Sequence, residues 1–250
     1  MTGVGSTRAG PTAPGRDLAR GALGDMKRLA GREAALGVEP GMRLGLGTGT
    51  TVAHFLDHLA ARIRRGELPG VVGVATSART ERAARVLGIP LATLAEAGSL
   101  DLTVDGADEV APGLDLIKGL GGALLREKIV AQASRRMVVI ADDTKVVPKL
   151  GTRAPLPVEV TPFAHSSHLE WLGDLGSEPR LRIGADGRPY RTANGNYIVD
   201  CRFEGGIPDL PALERGLAGR AGVVESGLFL GMAECAIVAG ADGVRIMSRA

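Results

Sequence analysis

The sequence predicts an α/β fold on a mostly parallel sheet, joined to a smaller α+β unit. Three observations carry this. Strand-like apolar runs alternate with helix-like stretches up to about residue 150. Each of those runs ends in a loop rich in Gly, Thr or Asp. After Gly151 the texture changes to short strand-like runs separated by turn residues and two helical stretches.

The elements follow in order. Met1 to Arg16, MTGVGSTRAGPTAPGR, holds almost no large apolar side chain and is expected to be a disordered leader. A helical pattern from Leu23 to Leu36 stops at the Glu39-Pro40-Gly41 turn, and Met42 to Leu46 reads as a buried strand entering GTGTT. Val52, Phe55, Leu56, Leu59 and Ile63 recur at helical spacing, with His54, Asp57, His58, Arg62 and Arg65 on the polar side. Val71 to Ala75 is the next strand, followed by Thr76-Ser77-Ala78-Arg79-Thr80 and a helix to Gly88. Leu100 to Val104 leads into DGADE, Leu114 to Ile117 into KGLGG and a helix from Ala123 to Ala133, and Met137 to Ile140 into ADDTK. Five loops thus follow five apparent strands, and ligands in such sheets bind at the strands' carboxyl ends. The expected division is 1–16 leader, 17–150 plus 223–250 as the α/β unit, and 151–222 as the α+β unit, with the tail returning to complete the first sheet.

Composition narrows the function. The 250 residues, 44% of them hydrophobic, suffice for a substantial core, and 30 Lys and Arg against 28 Asp and Glu give no basis for a nucleic-acid or anionic-membrane partner. No apolar run approaches the roughly 18 residues of a spanning helix, and the N-terminus lacks a secretory h-region, so a cytoplasmic location is expected. Cys201 and Cys235 sit in apolar segments and read as reduced thiols. A small-molecule substrate is the expected partner.

Four stretches carry chemistry. Gly45-Leu46-Gly47-Thr48-Gly49-Thr50-Thr51 joins a strand to a helix N-terminus, where free N–H groups favour an anion. It reads as a phosphate or sugar contact or as a tight structural turn. It is not a dinucleotide fingerprint, because Thr50 replaces the third glycine, nor a nucleotide P-loop, because it lacks the Lys-Ser/Thr ending. Asp105-Gly106-Ala107-Asp108-Glu109 groups three carboxylates that cap a helix, bind hydroxyls, do acid/base work or hold a divalent metal. Lys118 to Lys128 offers a lysine, a glycine-rich bend and then Glu127, which is either a carboxylate poised at a bound sugar or an exposed helix acid paired with a neighbour. Asp142-Asp143-Thr144-Lys145 brings a second lysine to the same edge or is a solvated turn. His54 and His58 lack the glutamate of a zinc helix, His165 and His168 lack a partner cluster, and Arg62, Arg64 and Arg65 read as a solvated face.

In order along the chain, GLGTGTT, TSART, DGADEV, KGLGGALLREKIVA, ADDTKVVPKLG, PLPVEV, NGNYIVD and GVVESGLF resemble the ribose-5-phosphate isomerase family, type A. The resemblance spans nearly everything after the leader. It implies a doubly wound, mostly parallel sheet domain with a smaller ferredoxin-like α+β domain, and an aldose–ketose isomerase needing no metal or cofactor. It also implies a homodimer or homotetramer. By residue it implies Glu127 as the proton acceptor, aided by Asp105, Asp108 and Lys118. Substrate contacts would come from Thr48, Gly49, Thr50 and Thr51, from Asp105, Gly106, Ala107 and Asp108, from Lys118, Gly119, Leu120 and Gly121, and from Lys145 and Lys27. Leu120 stands where many relatives have Gly, and Thr50 where Ser is frequent; the first is the one expected to affect loop shape. Partial burial is expected to raise the Glu127 pKa. Two rivals are an aminosugar-phosphate isomerase/deaminase and a non-catalytic sugar-phosphate sensor.

Overall fold

The computed structural model describes residues 14–249, with side chains from Gly21 onward. The chain runs α1 (Pro14–Leu36), β1 (Arg43–Leu46), α2 (Thr50–Arg64), β2 (Val72–Ala75), α3 (Ala78–Leu87), α4 (Leu94–Ala97), β3 (Leu102–Gly106), β4 (Glu109–Val110), β5 (Leu116–Ile117), α5 (Leu124–Gln132) and β6 (Met137–Asp142). It continues as β7 (Leu156–Val160), α6 (His165–Asp174), β8 (Glu178–Leu181), β9 (Tyr197–Arg202), α7 (Leu210–Ala218), β10 (Val223–Ser226), β11 (Leu228–Phe229), β12 (Cys235–Gly240) and β13 (Gly243–Ser248).

Six strands form the large sheet in the order β13-β12-β6-β3-β1-β2, parallel except for the β12–β13 hairpin. From β1 the chain winds one way to β2 and then the other way through β3 and β6, so the switch of direction lies between β1 and β3. The loops after those two strands, GTGTT and DGADE, diverge there and leave a crevice. Both faces are covered. Val138 and Ile140 of β6 pack with Leu44, Leu46, Phe55 and Leu59 on one side, while Met137, Val139 and Ala141 pack with Leu116, Phe229 and Val238 on the other. That double burial explains the unbroken apolar runs in the sequence.

The smaller sheet has the order β10-β7-β9-β8, all antiparallel, with α6 and α7 supplied by β7-α6-β8-β9-α7-β10 connectivity. This is the split βαβ arrangement of ferredoxin-like domains. A three-stranded antiparallel sheet, β11-β5-β4, lies between the two.

Three expectations need correction. Leu114 to Ile117 is not a strand of the large sheet: only Leu116 and Ile117 pair, antiparallel to β4 and β11. A run of four apolar-rich residues cannot reveal its partner, and only four of the five strand ends belong to one edge. Val223–Ser226 pairs with β7, so strand membership carries the smaller unit past the expected division at 222, while β12 and β13 do complete the large sheet. Helix α1 begins at Pro14, inside the expected leader and nine residues ahead of Leu23, because Pro14 suits the first helical position and Arg, Leu and Ala outweigh Gly15 and Gly21. The remainder of the expected leader, Met1 to Ala13, lies outside the described residues.

Candidate active site

A cavity of ≈ 330 Å³ opens at the crevice between β1 and β3. Its floor is a buried charge cluster. Asp105, the fourth residue of β3, is fully buried; its Oδ1 accepts from the backbone N–H groups of Thr48 (3.0 Å) and Gly106 (2.7 Å). Gly47 makes this possible, since a Cβ there would run into the Asp105 carboxylate. The Lys118 ammonium, itself buried, stands 2.9 Å from Asp105 Oδ2 and 3.4 Å from Glu127 Oε2, and donates to the Gly106 carbonyl at 2.6 Å. Asp105 Oδ2 and Glu127 Oε2 meet no other donor among the described residues.

The ammonium lies nearer Asp105, and the protonation of the group follows from that. Burial pushes the Glu127 carboxyl well above its ordinary value; Lys118 opposes the rise, and the neighbouring Asp105 and Asp108 charges add to it. Burial acts to lower Lys118, but the Asp105 and Glu127 carboxylates outweigh it and hold the lysine above its ordinary value, as a permanent cation. The site therefore holds a fixed positive charge beside a carboxyl group able to take and return a proton.

Glu127 lies in the first turn of α5 on the buried face it shares with Leu124, Lys128, Val130 and Ala131, so the exposed-acid reading fails. The bend before it requires glycine twice, at Gly119 (φ 99°) and Gly122 (φ 80°). Leu120 has no positive φ; it is exposed, and its N–H donates to Asp108 Oδ2 at 2.9 Å. The replacement of glycine thus leaves the bend intact.

At the mouth, Thr48, Gly49, Thr50 and Thr51 open α2, and Lys27 Nζ donates to Thr50 Oγ1 at 3.0 Å. Thr48 Oγ1 lies 2.8 Å from both Thr76 Oγ1 and Ser77 Oγ, which binds the first loop to the second. Ser77 in turn caps α3, accepting from Thr80 N–H. Two helix N-termini thus sit side by side over the cavity.

Of the residues expected at the site, Lys27, Thr48, Gly49, Thr50, Thr51, Gly106, Ala107, Asp108, Lys118, Gly119, Gly121, Glu127 and Lys145 line this cavity. Asp105 and Leu120 do not: the first lies behind Lys118, and the second gives its N–H to Asp108. The third acid of DGADE, Glu109, is structural. Fully buried, it accepts from the N–H groups of Gly151, Arg153 and Ala154, pinning the chain as it enters the smaller unit.

Sequence reasoning missed a wall. Thr76 and Ser77 come from the loop after β2, Arg79 from the first turn of α3, and Arg126 from α5; Tyr190, Ala193 and Asn194 come from the smaller unit. Arg182, paired with Asp200, also donates to the Leu120 carbonyl at 3.0 Å, and Tyr190 rests where a Gly122 Cβ would be. The motif NGNYIVD held a clue, because two asparagines beside a positive-φ Gly195 mark a shaped loop. Nothing local tells which surface that loop meets.

The comparisons with known proteins agree with this geometry. Residues 72–243 match the model of the family described as ribose 5-phosphate isomerase A (phosphoriboisomerase A). The chain is 51% identical over 219 residues to the ribose-5-phosphate isomerase A of Chloroflexus aurantiacus, covering 88% of this chain and 91% of that one. It is 48% identical over 230 residues to a probable chloroplastic ribose-5-phosphate isomerase of Arabidopsis thaliana, covering 90% and 83%. A solved D-ribose-5-phosphate isomerase in complex with phospho-erythronic acid superposes with a TM-score of 0.88 at 38% identity, over 91% of this chain and 99% of that one.

Proposed function

The chain belongs to the ribose 5-phosphate isomerase A family, and on that premise we propose that Glu127 is the base of its reaction and Lys118 the cation that stabilises the intermediate. The enzyme is an aldose–ketose isomerase that interconverts D-ribose 5-phosphate and D-ribulose 5-phosphate in pentose phosphate metabolism. The observation that carries the assignment of roles is the buried Asp105–Lys118–Glu127 cluster opening into the cavity.

The Glu127 carboxylate takes the proton from C2 of the open-chain aldose, and the C2–H electron pair becomes the C1–C2 double bond of an enediolate. The charge that moves onto oxygen meets the Lys118 ammonium, already in place and desolvated, so little reorganisation is needed when the charge develops. Glu127, now protonated, returns the proton to C1 while the hydroxyl proton passes from O2 to O1, which leaves the ketose. A carboxyl whose pKa lies above the ordinary range is suited to both halves, because its acid and base forms are closer in energy at neutral pH.

Asp105 acts by fixing Lys118; Asp108, Gly106 and Ala107 line the part of the cavity that would hold the sugar hydroxyls. Thr48 to Thr51, with Lys27, would hold the phosphate by backbone N–H groups, hydroxyls and an ammonium. Lys145 closes the same edge from the loop after β6. In this scheme the cationic work falls to lysine, and no metal or cofactor takes part. No helix among the described residues is long and apolar enough to cross a membrane. We propose a homodimer or homotetramer, as the family resemblance implies, and a cytoplasmic location.

The test is conversion of ribose 5-phosphate by the purified protein in excess EDTA, with Glu127→Gln beside it. Turnover should survive chelation and drop by roughly ~10²-fold or more in the variant, while the variant still binds sugar phosphate. Activity abolished by EDTA would instead make DGADE a metal site, and an unimpaired variant would remove Glu127 from the chemistry.

A further inference from the structure

On β7, Leu156, Val158 and Val160 point into the core of the smaller unit, as alternate residues of a half-buried strand do. Glu159, on the opposite face, is just as deeply buried at 0% exposure, although a carboxylate there costs far more than an apolar residue. Its Oε2 meets no donor among the described residues. Its Oε1 accepts three side-chain hydrogen bonds from one short loop: Thr192 Oγ1 (2.9 Å), Asn194 Nδ2 (3.2 Å) and Asn196 Nδ2 (2.8 Å). The Thr192 hydroxyl oxygen also accepts from the N–H groups of Asn194 and Asn196, which closes the loop on itself. The five residues from 192 to 196 are thus organised around one buried charge.

That loop is part of the cavity wall, through Ala193 and Asn194. Asn194 bridges two groups. Its amide nitrogen is given to Glu159, and its Oδ1 accepts from Arg126 Nε at 3.1 Å; Arg126 Nη2 reaches the Ala193 carbonyl at 3.4 Å. Arg126 lines the cavity and directly precedes Glu127 on α5. We infer that Glu159 is a positioning residue for the isomerase: through Asn194 it holds the Thr192–Asn196 loop and the Arg126 guanidinium together as the wall that the smaller unit sets against the substrate.

The wall confines the bound sugar phosphate without reaching the Lys118–Glu127 pair, so its loss weakens substrate and transition state alike and shows in KM rather than kcat. The inference rests on the isomerase reading, which wild-type turnover and the Glu127→Gln variant test separately in the same assay.

The experiment is steady-state kinetics with ribose 5-phosphate, together with thermal unfolding. Asn194→Ala removes both links from an exposed position, and KM should rise roughly 3- to 10-fold with kcat within about 2-fold and the melting temperature nearly unchanged. Asn194→Asp keeps an acceptor for Arg126 but sets an oxygen against Glu159, so its KM should rise at least as far. Glu159→Ala should raise KM to a similar extent, with the double variant Glu159→Ala/Asn194→Ala no worse than the poorer single, since both act through one loop. Glu159→Gln keeps the acceptor oxygen and should return KM to within about 2-fold of wild type. A wild-type KM in Asn194→Ala overturns the inference; so does a wild-type KM in Asn194→Asp, which would leave Arg126 alone as the partner that matters. If Glu159→Ala does not fold, the two Asn194 variants and Glu159→Gln decide.

Discussion

At the floor of the cavity Asp105, Lys118 and Glu127 share charge that water does not reach; at the mouth Thr48, Thr50, Ser77 and Lys27 stand half or wholly in solvent. Both regions meet at the crevice between β1 and β3, yet they stabilise charge in opposite ways. At the mouth, hydroxyls and helix N-termini replace water around an anion that is charged before and after the reaction. At the floor, one ammonium is fixed in advance where charge exists only in passing. Charge that is permanent tolerates an open, exchangeable site, while transient charge needs groups that cannot relax.

The largest expected effect removes the cation from the floor. Lys118→Met leaves two buried carboxylates without a counter-ion, and should cost about 3–5 kcal/mol in a urea titration as well as at least ~10²-fold in turnover. A variant of unchanged stability would mean that the cluster is hydrated in solution.

A smaller effect sharpens the comparison through pH. The folded-state pKa of Glu127 is raised, so the stability it contributes is fully present below the ordinary value of 4.5 and is lost as pH rises through the raised value. Glutamine mimics the protonated form at every pH. Glu127→Gln should therefore gain on wild type as pH rises from about 4.5 to mildly alkaline, by at least about 1 kcal/mol at the upper end. Wild-type activity should fall on the acid side at a pH above the ordinary carboxylate range. Parallel stability curves for the two proteins would place Glu127 in an ordinary, solvated setting.

The smallest effect belongs to the mouth. Lys27→Met takes away an ammonium that donates to Thr50, and should raise KM roughly 3- to 10-fold with kcat and melting temperature close to wild type. A loss in kcat equal to that of Lys118→Met would erase the distinction between the two regions.

Much of this was legible in the sequence, and the particular residues show why. GTGTT and DGADE announce themselves because a parallel sheet puts the loops after its strands on one edge, so loops distant in sequence share a site without any tertiary knowledge, whereas KGLGG reaches the same site from outside that sheet. The same logic misled at Leu114 to Ile117, where an apolar run pairs antiparallel and away from the large sheet. The residues of DGADE alone leave the roles of its three acids open, and only the resemblance singles out Asp105 and Asp108. Burial separates them: Asp105 fixes Lys118, Asp108 takes the Leu120 N–H, and Glu109 pins the chain at 151–154. Tyr190 and Asn194 were out of reach, since they meet the cavity from residues more than 60 positions after Glu127, through packing that no local pattern encodes.

The close fit of Tyr190 on Gly122 couples the two positions. Any side chain at 122 collides with the tyrosine hydroxyl, and even with the ring gone the left-handed backbone there costs an L-residue about 1–2 kcal/mol. A substitution at 122 is therefore eased by a smaller residue at 190, whereas with the tyrosine in place it must push that side chain out of the cavity wall.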